Sequence, residues 1–111
     1  MAVYQREIVE LQYELPNGQL KTHPALVISN TAVHEIEGIF YALMISSKPL
    51  PDEFAFELND KMLTKPLSKT SYVKCQLIQS YSEEEILKKH GMVKQKFFNE
   101  ILEHFIQSVL R

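Results

Sequence analysis

Apolar and polar residues change their spacing along the chain in a way that separates strands from helices. Residues 6–15 alternate, with Ile8, Leu11 and Tyr13 set among charged and amide side chains, which is the period-two pattern of a half-exposed strand. Pro16-Asn17-Gly18 follows, and Asn-Gly between two strand-like runs is the strongest short hairpin signal. The chain is therefore predicted to turn straight back into a second strand over residues 21–30. There, Ala25 to Ile28 form a continuous apolar run bounded by Pro24 and by Ser29-Asn30, as expected of a strand covered on both faces. Pro24 cannot donate to a ladder, so it falls where this strand begins, and it presses His23 into an extended conformation. Alternation then sets Lys21 and His23 side by side on one face.

Residues 31–38 are polar and short, enough for one helical turn that Gly38 ends, and residues 39–45 are a second buried strand closing on Ser46-Ser47-Lys48-Pro49. After a turn at Leu50-Pro51-Asp52, residues 54–58 read as a brief strand, and residues 61–69, broken by Pro66, as irregular chain. Residues 70–78 alternate with β-branched and aromatic side chains and are predicted to be the last long strand. Ser82-Glu83-Glu84-Glu85 has the capping-box form, which predicts a short helix running to Gly91 with its acids at the positive end. From Lys94 onward, Phe97, Phe98, Ile101, Leu102, Phe105, Ile106, Val109 and Leu110 recur at steps of one and three, giving a broad apolar stripe on a terminal helix. Short strands followed by one helix predict a mostly β fold, a small barrel or curled sheet, mainly antiparallel, with a C-terminal amphipathic helix packed on it. So wide a stripe also allows for burial against a second copy.

Composition narrows the function. The 111 residues, 45% hydrophobic and 23% charged, are predicted to form a single domain over 1–111 that needs neither metal nor disulfide for stability. The apolar run at residues 39–45 is far too short to span a bilayer, which needs about 20 residues, and the polar start is no signal peptide, so a soluble, cytoplasmic protein without membrane contact is expected. Cys75, alone in a strand pattern, is expected to be a buried, reduced core residue. A net charge of −2 argues against binding nucleic acid through overall charge. The charge is uneven, however: between Lys61 and Glu83 there is no acid, while Lys61, Lys65, Lys69 and Lys74 occur with Tyr72 and Tyr81 interleaved. The chain has no nucleophile elbow, no phosphate-binding glycine loop and no His-Glu-x-x-His, which leaves hydrolase, nucleotide-binding and metalloenzyme readings without local support and implies no metal site or cofactor. His34, His90 and His104 have no matching partners in sequence, and His104, beside Phe105, reads as a surface or dimer residue.

In order and spacing, the chain resembles the MazF and PemK-like toxins of bacterial type II toxin–antitoxin systems over nearly all its length. His23-Pro24-Ala25-Leu26-Val27-Ile28-Ser29-Asn30 is similar to the family's Arg-Pro-x-Leu-Val-Ile-Ser-Asn, and Glu7-Ile8-Val9 to its opening Gly-Asp-Ile-Val, with Arg6 where the glycine stands. Ile45-Ser46 falls where the family has Ile-Thr, and residues 71–81 follow its last strand. The resemblance implies an SH3-like barrel of the MazF, Kid and CcdB type, a homodimer, an antitoxin partner, and metal-independent, sequence-specific cleavage of single-stranded RNA. The family's catalytic arginine and hydroxyl correspond to His23 and Ser46, and Lys74 and Gln76 to positions that some members fill with an arginine and an acid.

Metal-free RNA cleavage needs a base for the ribose 2′-hydroxyl, an acid for the departing 5′-oxygen, and positive charge near the phosphate. His23, titrating near neutrality, can be acid or base, and Ser46 can bond a phosphate oxygen. Lys21, Ser47, Lys74 and Gln76 complete the substrate-binding set. The same residues also suit a rival: a non-cleaving barrel that holds RNA or an antitoxin tail around Lys21, Ser46 and Lys74.

Overall fold

The computed structural model describes residues 2–48 and 52–111. Six strands, β1 (Glu7–Glu14), β2 (Leu20–Val27), β3 (Phe40–Ser46), β4 (Ala55–Leu58), β5 (Ser71–Tyr81) and β6 (Lys88–Met92), form one sheet in the order β4-β5-β3-β2-β1-β6. Every neighbouring pair is antiparallel. The sheet curls until its two ends meet. An antiparallel bridge joins Leu63, beyond β4, to Val93, beyond β6, and the Thr64 and Lys94 amides donate across it to the carbonyls of Met92 and Met62 at 2.9 and 2.8 Å. The result is a half-barrel followed by the C-terminal helix α2 (Gln95–Phe105), whose last turn widens into a π-helix over Ile106–Leu110.

The hairpin forms as the Asn-Gly signal predicts. Gly18 takes φ +83°, Leu15 and Gln19 close the turn, and Tyr13 pairs with Lys21 and Leu11 with His23. Each face of the curl buries its own apolar cluster, which is why β2 and β3 read as continuous apolar runs. Leu26, Leu43 and Ile45 pack with Val73, Cys75 and the helix residues Phe98 and Ile101 on one face. Ala25, Val27, Ala42 and Met44 pack with Val9, Leu11, Tyr13 and Phe40 on the other. Cys75 is fully buried, and burial pushes its thiol up to about 12. The helix α1 (Thr31–Glu37) is started by the Asn30 side chain, which accepts from the Val33 amide, and is ended by Gly38 at φ +73°.

Three expectations change. The strand predicted over residues 70–78 runs on to Tyr81, with a register shift between its pairings to Met44 and Leu43. No helix extends from Ser82 to Gly91: Glu83–Glu85 make a single 3-10 turn that the Ser82 side chain does not cap, and the chain continues into edge strand β6. Gly91 therefore ends no helix. At φ +91° it lies so close to the chain beyond β4 that a Cβ there would stand 2.7 Å from Thr64 Oγ1. His90, finally, does have a partner, since its Nε2 lies 2.6 Å from Glu10 Oε2 on β1. Leu50 and Pro51 of the predicted turn lie outside the described residues. Among those described, no helix is long and apolar enough to cross a membrane.

Candidate functional site

The pairing of Ala25 with Met44 continues, two residues further along each strand, toward His23 and Ser46. Both side chains fall on the Met44 face of the sheet and line one cleft of about 320 Å³, together with Pro24, Ser47, Lys48 and Lys69. His23 and Ser46 also border an adjoining recess with Lys21, Lys48 and Lys74. Lys74 reaches it because Met44 pairs with Lys74 across β3 and β5, so the two share a face. Two strand ends and one neighbouring strand thus gather an imidazole, a hydroxyl and several amines.

His23 is half-buried, with the Tyr13 ring edge-on to it at a centroid distance of 6.4 Å. Burial holds its pKa below the ordinary histidine value; a hydrogen bond to the Ile45 backbone opposes this, and the nearby Lys21 and Lys48 charges add to the lowering. The ring is therefore neutral at neutral pH and able to accept a proton. Ser46 is buried, and its Oγ accepts from the Lys48 amide at 3.3 Å, the turn-bonding role common for a hydroxyl after a strand. Its own O–H remains a donor. Ser47 and Lys48 are exposed at the cleft mouth.

Lys74 is buried, and its Nζ lies 3.2 Å from Asp52 Oδ2, an oxygen that also accepts from Gln76 Nε2 at 3.0 Å. The Asp52 carboxyl is held below its usual range, first by the Gln76 bond and then by the Phe54 amide and Lys74. Gln76 is thereby occupied beside Asp52 and lines neither recess with the other five predicted residues. Among the described residues, Lys21, Lys48 and Lys69 make no ion pair, so the cleft carries uncompensated positive charge. No three histidine, cysteine or acidic residues among them come together as metal ligands.

Sequence reasoning did not single out Lys48, Asp52 or Lys69 for the site. Lys48 follows Ser46-Ser47 directly and Lys69 belongs to the basic run, so each had a signal. Asp52 had none beyond its turn, where its Oδ1 accepts from the Phe54 amide at 2.9 Å.

Several solved structures share this architecture. An endoribonuclease in complex with its cognate antitoxin from a mycobacterial species superposes with a TM-score of 0.77 at 18% identity, covering 97% of this chain and 95% of that one. MazF from Deinococcus radiodurans gives 0.79 at 15% identity, over 100% and 99% of the two chains. Its MazE–MazF complex gives 0.72 at 16% identity, over 96% and 94%. At these identities the likeness establishes the fold. No curated protein sequence matches the chain. A family model does, over residues 4–109, and with that match the chain belongs to the PemK-like, MazF-like toxins of type II toxin–antitoxin systems.

Proposed function

We propose that this chain is the toxin of a toxin–antitoxin pair and acts as a metal-independent endoribonuclease on single-stranded RNA. The observation that carries the reading is the convergence of His23, Ser46 and unpaired lysines on one cleft. Neutral His23 takes the proton of a ribose 2′-hydroxyl. The 2′-oxygen attacks the adjacent phosphorus and the bond to the 5′-oxygen breaks, leaving a 2′,3′-cyclic phosphate and a 5′-hydroxyl protonated from solvent. Lys21 and Lys48, which make no ion pair among the described residues, offset the charge that builds on the phosphate, Lys74 borders the site while paired with Asp52, and the Ser46 O–H donates to one of the phosphate oxygens. Solved relatives described as an endoribonuclease with its cognate antitoxin and as a MazE–MazF complex support an antitoxin partner. Exposed Tyr41, Leu77 and Ile78 on β3 and β5 support a homodimer, and a toxin that cleaves cellular RNA would act in the cytoplasm.

The test is to incubate pure protein with mixed RNA in EDTA and map the new ends. Cuts that His23→Ala abolishes are expected; no cuts, or equal cutting by that variant, overturns the mechanism. One feature favours the second reading, a non-cleaving RNA or antitoxin binder: the family's catalytic arginine position is occupied by an imidazole, which lacks a permanent charge and a bidentate grip. RNA retained intact by the wild-type protein would select it.

A further inference from the structure

The cleft does not end at Lys69. Leu67, Ser68 and Lys69 form one wall of the His23 cleft and, on their other side, one wall of a neighbouring cavity lined also by Asn59, Asp60, Lys61 and Thr70. The shared wall is built to hold its shape. Leu67 packs against the core beneath, and the buried Ser71 hydroxyl donates to the Lys69 carbonyl at 2.9 Å. Lys61 and Lys69 make no ion pair among the described residues. Asn59 brings a buried Oδ1 with no hydrogen-bond partner, an expensive state for an acceptor unless a donor arrives from outside.

We propose that this second cavity is a nucleotide subsite, in which Lys61 and Lys69 hold a backbone phosphate next to the scissile one and the Asn59 amide bonds that nucleotide's ribose hydroxyl or base. The proposal rests on the RNA reading of the neighbouring cleft. Two ammonium groups suit a phosphate, while the Asn59 oxygen and the Asp60 carboxylate suit the hydroxyl and amine donors that a nucleotide carries alongside it. An acidic peptide carries backbone N–H donors as well, but it would bring its carboxylates up to the Asp60 carboxylate, which repels them. The basic run at residues 61–74 thus has a use: Lys61 and Lys69 line the second cavity, Lys69 also lines the His23 cleft, and Lys74 lines the recess beside it.

The experiment measures anisotropy of a labelled, mixed-sequence RNA dodecamer, with His23→Ala as the background so that the strand stays intact. Single-stranded DNA of the same sequence serves as the comparison. A phosphate contact contributes about 0.7 to the slope of log affinity against log salt for single strands, so the double variant Lys61→Ala/Lys69→Ala, which frees that one phosphate, is expected to lower the slope by about 0.7 and weaken binding about fivefold at 0.1 M salt, with each single variant giving part of both effects. Both effects should be alike for RNA and DNA. Asn59→Ser should narrow the difference between the two nucleic acids while leaving the slope unchanged. Unchanged slope and affinity in the double lysine variant, with the background protein still binding RNA, overturns the subsite alone. No RNA binding by either the background or the wild-type protein, with an acidic peptide bound instead, overturns the subsite and the RNA reading together. The lysines are exposed, so their replacement leaves the fold intact.

Discussion

His23 carries the most specific chemical expectation of any single residue. Burial first, then Lys21 and Lys48, keep its folded-state pKa below 6.5, so a rate that depends on the neutral ring rises with pH through that lowered value and is level above about 6.5. Lys21→Ala removes one cause of the lowering and should move the acid limb of the kcat/KM profile upward; an unmoved limb assigns the limb to another group. The same shift acts on stability. Below about 6.5 the unfolded chain binds a proton that the native ring refuses, so this contribution is present above that pH and is lost as pH falls toward the folded-state value. Arg6 is the second such residue. It is the only described non-glycine residue at positive φ, +81°, where the family has glycine, and its guanidinium donates to the Val93 carbonyl at 3.0 Å. Arg6→Ala keeps the strained backbone and loses that bond, whereas Arg6→Gly loses the bond but relieves the strain. Urea melts should therefore find the glycine variant more stable than the alanine one by about 1 kcal/mol.

At the scale of elements, what was legible followed from how many faces each element buries. Strands β1 to β3 and the α2 stripe announced themselves because burial on one or two faces imposes a pattern on apolar positions, and the hairpin and the end of α1 through Gly18 and Gly38, whose left-handed turns favour glycine. The edge strand β6 did not. Its Lys-Lys-His-Gly-Met sequence is held by cross-strand pairs, Lys89 Nζ to Glu7 Oε2 at 3.0 Å and His90 to Glu10, partners about eighty positions away that no local window includes. The capping-box spelling upstream then suggested a helix where tertiary pairing selects a strand. Gly91 supplies the check. Any side chain there meets both the positive φ and Thr64, whose Oγ1 accepts from the Met92 amide at 2.9 Å and so resists moving. Gly91→Ala should cost about 2 kcal/mol or more in thermal or urea unfolding; a neutral substitution would show that the approach of β6 to Thr64 is not as drawn.

For the molecule as a whole, closure depends on a small junction. The strands from β4 through to β6 leave two free edges, and among the described residues backbone bonds join those edges where residues 62–64 bond residues 92–94. If this junction belongs to the cooperative core, the amides of Thr64 and Lys94, which bond across it, exchange with solvent only on global unfolding, as slowly as those of β2 and β3. Exchange at the rate of a frayed end would mean an open sheet. Of the candidate site, the sequence displayed its ingredients but not its neighbours. His23 and Ser46 were placed by family spacing, while Asp52, which engages both Lys74 and Gln76, is brought in by a turn that folds against β5 and leaves no periodic trace.

The irregularity inside β5 has one more consequence. Lys74 pairs with Met44 and Ile78 with Leu43, so three residues, 75–77, are accommodated across a single step of the opposite strand. Three is odd, and so the even-numbered Lys74 and the odd-numbered Tyr81 emerge on the same side of the sheet, one at the cleft and the other against Phe40. Straightening the strand at its present length, so that plain alternation ran from Lys74 to Tyr81, would turn its distal half inside out, carrying Tyr81 out of its apolar bed while Lys74 kept its place. The extra length thus works as a phase inverter, letting one strand serve a wet cleft and a dry core on the same surface.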